Sequence, residues 1–189
     1  ILNEFESILE NIDDKLKPNY KLLKGKVAKD NKNFIEAFDI LMPLKGSKSI
    51  KEDLEQTLAL LAADIVNSAI DDNNKGNFKS SAEKLYLAYE VDKEQNVDYL
   101  YYAASSAVNA EEFETSLSHY NLLKDMNYTG IVTKYFVTEV DSENEVEVTQ
   151  SEYDIYKKSK SYKDFREEKT ESKFPEIVKN IALIYAQLG

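Results

Sequence analysis

The chain has no cysteine, which excludes disulfides and thiolate metal sites and leaves its redox compartment unspecified. Glycine and proline are scarce, five and three in 189 residues. Sandwiches and barrels need many tight turns, so this scarcity favours long helices joined by short loops. Histidine occurs once, as His119; it has no nucleophilic partner of the usual kind, and its helical register beside Tyr120 assigns it to a solvated face. Neither a glycine-rich phosphate loop nor His-Glu-x-x-His spacing is present. No apolar run approaches the length of a membrane span. A signal peptide and an initiating Met are also missing: the chain opens at Ile1 inside an amphipathic pattern, as a cut or processed product does. Basic residues are outnumbered, and a net charge of −11 disfavours nucleic acid as a general partner, because phosphate repels a surface of that sign.

What is present suits a packed helical chain. Hydrophobic residues make up 42% of it, enough for a sizeable core, and charged residues 31%, enough to solvate one face of each helix. The charge is uneven. Lys15, Lys17, Lys21, Lys24, Lys26, Lys29 and Lys32 are opposed only by Asp30, whereas no basic residue interrupts the acidic run from Glu139 to Asp154. A solvated lysine-rich helix accounts for the first run, and an acidic partner docked there remains open. Asp141, Glu143 and Glu145 alternate as early calcium-loop ligands do, but the glycine and closing glutamate of such a loop are absent, so they read as a solvated hairpin tip. The 13 tyrosines suit core packing with hydroxyls reaching the surface, and some suit a groove.

Spacings of three and four predict the helices. Leu2, Phe5, Ile8, Leu9, Ile12 and Leu16 form one face over 2–16, and Pro18 breaks it. A second helix carries Tyr20, Leu23 and Val27 on its apolar face. Asn33 and Glu36 have capping-box spacing and open a third helix with Phe34, Ile35, Phe38 and Leu41; Ser49 and Glu52 repeat that spacing before the longest helix, 50–72. There Leu54, Leu58, Leu61, Ile65 and Ala69 make one stripe, and Leu60, Val66 and Ile70 a second, as in a helix packed between neighbours. Helices follow over 78–91, 97–109 and 111–126. Residues 131–140 and 145–148 then predict a β-hairpin, followed by a short helix over 152–158, a polar loop and a last helix over 175–188 that starts at a proline.

A shift of 35 residues brings Phe78 onto Phe113, Ser81 onto Ser116, Leu85 onto Tyr120, Ile65 onto Leu100 and Ala69 onto Ala104. Phe34, Ala37 and Leu41 echo the same aromatic, small and large order. This pattern resembles the tetratricopeptide repeat, a helix–turn–helix unit of about 34 residues. Units resemble it over 62–96 and 97–130, a degenerate one over 18–44 with Gly25, and a truncated helix A over 174–189 through Val178, Ile181, Ala182 and Tyr185. The chain departs from the pattern at Asp72, Lys93 and Leu123, and 131–173 lies outside the repeat. Its C-terminal half also resembles bacterial members of the family, many of them exported.

The resemblance implies an all-α solenoid: antiparallel helix pairs over 1–130 stacked into a superhelix, with a small β-hairpin insertion over 131–173. It implies a non-catalytic protein-interaction scaffold that takes a partner peptide or helix on the concave wall, with no cofactor and no metal. In the family that wall is formed by helix A, which here gives Asn73, Asp98, Tyr101, Ser105, Val108, Lys179, Leu183 and Ala186, with Tyr101 as the aromatic anchor. Val66 and Ile70 share this register but read as buried. An alternative is a structural subunit of a larger, envelope-associated assembly that self-associates through exposed repeat ends. A carbohydrate-binding or enzyme-associated module is a third reading.

Overall fold

The computed structural model describes residues 13–189. Most of the expected helix over 2–16 therefore lies outside the described residues; Asp13 to Leu16 form a turn closed by Leu16 N–H donating to Asp13 O at 2.8 Å. The helices that follow are α1 (Lys17–Asp30), α2 (Phe34–Leu41), α3 (Lys51–Asn74), α4 (Phe78–Val91), α5 (Val97–Asn109) and α6 (Phe113–Asp125). Strands β1 (Thr133–Glu139) and β2 (Glu145–Val148), helix α7 (Gln150–Tyr156), strand β3 (Tyr162–Lys169) and helix α8 (Phe174–Leu188) complete the described chain. From α1 to α6 each helix packs on the next, and α6 packs on α8, so the intervening β segment is looped out of the helical succession.

Pro18 sits in the first turn of α1, where its missing N–H would have had no partner; the helix it was expected to end lies mostly outside the described residues. The expected apolar face of α1 is corrected: Leu22, Gly25 and Ala28 are buried, whereas Leu23 and Val27 face outward with the lysines. Small residues decide this, because they let neighbouring helices approach. A Cβ on Gly25 would lie 2.4 Å from Cδ2 of the fully buried Leu41 of α2. Lysines of the basic run pair outward: Lys26 with Asp53 at 2.6 Å, and Lys29 with Asp30 and Asp64.

In α3 the first stripe is buried throughout. The second is not, since Leu60 and Ile70 are 51% and 50% exposed and Val66 is only half-buried. The helix is packed between α2 and α4, as expected, but its second stripe is left as an apolar face open to solvent. The two expected capping boxes do not form: Asn33 and the start of α3 lack side-chain cap bonds. The box that does form lies at Thr149 and Glu152, where the Thr149 hydroxyl accepts from Glu152 N–H at 3.2 Å and Glu152 accepts from Thr149 N–H at 2.8 Å.

One backbone turn recurs at three helix–helix junctions. Lys32, Gly76 and Glu111 each take positive φ (61°, 79° and 59°), and the residue after each has φ near −80° and ψ near 60° before a phenylalanine opens the next helix. Asn33, Asn77 and Glu112 each donate their N–H to a carbonyl five residues back, at 2.9 Å. This is a Schellman-type closure that satisfies the last carbonyls of one helix while aiming the chain into the next. The spacing of the last two turns is that of the sequence shift. Ala37, Ser81 and Ser116 are buried at matching places, as are Leu41, Leu85 and Tyr120. A fourth such turn, with Asn127 at φ 53°, ends α6 but leads into the sheet.

The looped-out segment is a three-stranded antiparallel sheet of order β2-β1-β3, not a hairpin with a polar loop. Residues 162–169 are mostly charged, and only their pairing with β1 makes them a strand. One face of β1 offers Tyr135 and the fully buried Val137 to α7, whose Tyr153 ring lies 4.9 Å from Tyr135 and 5.5 Å from Phe165. Elsewhere Arg166 stacks at 4.1 Å over Phe136 and pairs with Glu145 at 3.0 Å.

Candidate functional site

The expected wall splits into two halves with different fates. On α5, Tyr101 is only 8% exposed. Its hydroxyl donates to Glu176 Oε1 at the start of α8, at 2.9 Å, and the Lys173 ammonium lies 4.2 Å over its ring and 4.7 Å over that of Tyr102. Tyr128, leaving α6, donates its hydroxyl to Asp98 and packs its ring 6.2 Å from Tyr101. Burial, and then the Glu176 carboxylate, push the Tyr101 hydroxyl well above the usual tyrosine range; burial and Asp98 do the same to Tyr128. Tyr101 is thus not an exposed anchor. The chain's own neck, where the sheet leaves and re-enters the helices, already covers it.

Backbone geometry fixes that neck. Lys173 N–H donates to Thr129 O at 2.7 Å. Gly130 between them has φ 57°, and a Cβ there would meet Lys173 Cδ and the Tyr128 hydroxyl at 2.7 Å, so a larger residue would have to displace those side chains where the two ends close. Ser105 is half-exposed, and Val108 packs against the core cluster that contains Tyr120 and Ile181. Asn73 at the end of α3 and Lys179, Leu183 and Ala186 of α8 are exposed. Asp98 and Tyr101 therefore come together, but around Tyr128 and Glu176 rather than around a ligand space.

On α3 the wall is open. A cleft of about 700 Å³ lies between the start of α3, the loop before it and the 91–99 segment. Leu58, Ala62 and Val91 are buried in its floor, Ala59 and Ala63 are exposed, and Tyr99 is half-buried at one side. Lys45, Lys48 and Lys51 stand on its rim against Glu55 and Asp92. Both carboxylates have local work: Asp92 accepts from the backbone N–H of Glu94 and Gln95, and Glu55 lies 3.9 Å from Lys51. Lys45 donates to Val91 O at 2.8 Å. Nothing in the sequence singled out this cleft, because its apolar residues belong to the core stripe of α3 and its lysines to a loop. A second cleft of about 750 Å³ between α2 and α4 is more open and has both charges on its rim.

His119 is corrected as well. It is buried, stacked on Tyr86 at 4.6 Å between ring centroids, and its Nδ1 has no hydrogen-bond partner. Burial holds its pKa below the ordinary value. At the hairpin tip the carboxylates are answered by cations, Glu143 by Lys163 at 2.9 Å and Glu145 by Arg166. Among the described residues no group of three or more acidic or histidine side chains is placed to hold a metal ion, and no helix is long and apolar enough to cross a membrane. Comparison with protein-family models, curated proteins and solved structures gave no match to this chain.

Proposed function

We propose that the chain is a non-catalytic scaffold that binds a segment of a partner protein along the outer face of α3. The observation that carries this reading is the open apolar surface there: Leu60 and Ile70 half-exposed, Ala59 and Ala63 exposed, and the 700 Å³ cleft continuous with them. Exposed contiguous apolar surface rimmed by polar groups marks an interaction site. The recurring turn at Lys32, Gly76 and Glu111 supports the resemblance to tetratricopeptide repeats and with it a stacked superhelix whose inner wall is built from α3, α5 and α8. On this chain α3 serves as the binding half of that wall, because the neck occupies α5.

Capture from a lysate of the source cells, read by mass spectrometry, tests the assignment. Wild type and Leu122→Arg, an exposed change on α6, are expected to enrich the same partner, and Ala63→Arg on the α3 face to lose it. Equal enrichment by all three would refute the α3 site.

A second reading, a structural subunit, draws on α8. Val178, Tyr185 and Leu188 are exposed along one side there, with Leu183 exposed on another, apolar surface suited to stacking. Sedimentation across a concentration series decides it. A monomer throughout speaks for the scaffold, and association abolished by Tyr185→Arg speaks for the subunit.

A further inference from the structure

The shape and charge of the α3 face specify what it takes, on the premise that this face is the binding site. Its outward arc carries Ala59, Leu60, Ala63, Val66 and Ile70, which fall within one side of the helix at 100° per residue. Ala59 and Ala63 leave the α3 backbone thinly covered, so another helix axis can approach closely. Among the described residues no sheet edge lies on this face for an extended peptide to join. From Ala59 to Ile70 the arc runs about 17 Å, at roughly 1.5 Å per residue, which about eleven residues of a second helix match.

Charge is concentrated at one end. Lys45, Lys48 and Lys51 rim the cleft beside the first turns of α3, while the far end of the arc has Asp71 and no lysine before Lys75. Lys48 has no ion-pair partner among the described residues, and Lys51 has only Glu55 at 3.9 Å. In a chain of net charge −11, this rim carries three lysines against Glu55 and Asp92, and the Asp92 carboxylate already accepts two backbone N–H bonds, so the cleft is a locally basic place that favours an acidic segment over a basic one. We infer that the partner element is an amphipathic helix of about eleven residues. Its apolar stripe lies on Ala59, Ala63 and Ile70, and its acidic end rests against Lys45, Lys48 and Lys51. This is the helix-in-groove mode, read from apolar anchors at helical spacing. The α1 lysines do not share this role: Lys26 and Lys29 are already paired with Asp53 and Asp64, and no α1 lysine lines the cleft.

Selection from a displayed library of random twelve-residue peptides against the chain, followed by fluorescence anisotropy of the selected peptides, tests the inference. The expected consensus has apolar residues at i, i+3, i+4 and i+7 and carboxylates at one end. Ala63→Arg, a surface change whose folding circular dichroism checks, is expected to weaken binding at least tenfold. Lys48→Glu and Lys51→Glu are each expected to weaken it about two- to fivefold in low salt, less at 0.5 M salt, as exposed charge pairs do. Leu122→Arg is expected to leave it unchanged. Peptides lost on Ala63→Arg but lacking helical spacing or acidic bias would overturn the inferred partner and leave the α3 site standing. Peptides indifferent to Ala63→Arg, or no enrichment at all, would overturn both.

Discussion

Ser81 and Ser116 occupy the same place in two helix hairpins, yet the structure gives them opposite energetic roles. Ser116 Oγ donates to Ala104 O at 2.9 Å, twelve residues upstream and fully buried. Ser81 is as deeply buried, but its Oγ has no partner; the matching carbonyl, twelve residues upstream at Ala69, is left without that bond. Replacing either by alanine gains about 0.5 kcal/mol of helix propensity, a contribution that cancels between the two. Ser116→Ala also loses a buried hydrogen bond worth about 1 kcal/mol net, whereas Ser81→Ala relieves an unsatisfied hydroxyl costing about 1 kcal/mol or more. The expected result is about 0.5 kcal/mol of destabilisation for Ser116→Ala and about 1.5 kcal/mol of stabilisation for Ser81→Ala. For a chain of this size the two should melt roughly 4–8 °C apart. Urea unfolding followed by circular dichroism, with thermal melts of the same samples, measures both. If Ser81→Ala is less stable than wild type, its hydroxyl is satisfied and the two hairpins do not differ as described.

Two further outcomes are expected. His119 has a folded-state pKa lowered by burial, so its contribution to stability is present above the unfolded value near 6.5 and is lost as pH falls below it; between pH 7.5 and 5.5 wild type should lose up to about 1.4 kcal/mol more than His119→Gln in urea unfolding. An equal loss in both proteins would mean that His119 accepts a proton freely in the folded state. Tyr101→Phe removes the bond to Glu176 and should cost about 1 kcal/mol, with faster amide exchange at the start of α8 and unchanged exchange in α3 and α4; uniform loss of protection would show that the neck and the helical array unfold as one unit.

The helices and the recurrence of their turns were legible because their signal is local. Leu54, Leu58, Leu61 and Ile65 recur at helical spacing, and the Phe78/Phe113 and Ser81/Ser116 matches mark turns whose backbone conformations coincide in the structure. Burial was less legible where a helix is apolar on opposite sides. In α1 the larger residues Leu23 and Val27 outweigh Gly25 and Ala28 in any hydropathy pattern, yet the core takes the small ones because Leu41 must lie against the Gly25 backbone. Strand β3 was missed for a related reason: Tyr162–Lys169 has little β character of its own, and its pairing with β1 is a long-range contact. His119 was misplaced because neighbourhood in sequence says nothing of Tyr86, which stacks on it from α4.

The wall assigned by repeat register fails at Tyr101 for a reason that also locates the open surface. An aromatic at that register is suited to anchor a ligand, and here it does anchor something: Glu176, Tyr128 and Lys173 of the same chain. Tyr128 and Lys173 flank the sheet segment and Glu176 lies in the first turn of α8, so the neck where the segment leaves and re-enters the helices covers the α5 half of the wall and ties α8 down beside it. Register alone cannot distinguish a wall that binds a partner from one that binds its own insertion, because both ask for an aromatic and a nearby carboxylate. What separates them is the adjoining helix. On α3 the equivalent place is Val66, half-buried against the core, with Ala63 and Ile70 exposed beside it. The side of α3 that the neck does not fill is therefore the one beside Lys45, Lys48 and Lys51, and on the proposed reading a partner's side chains supply the contacts there that Glu176 and Tyr128 supply on α5.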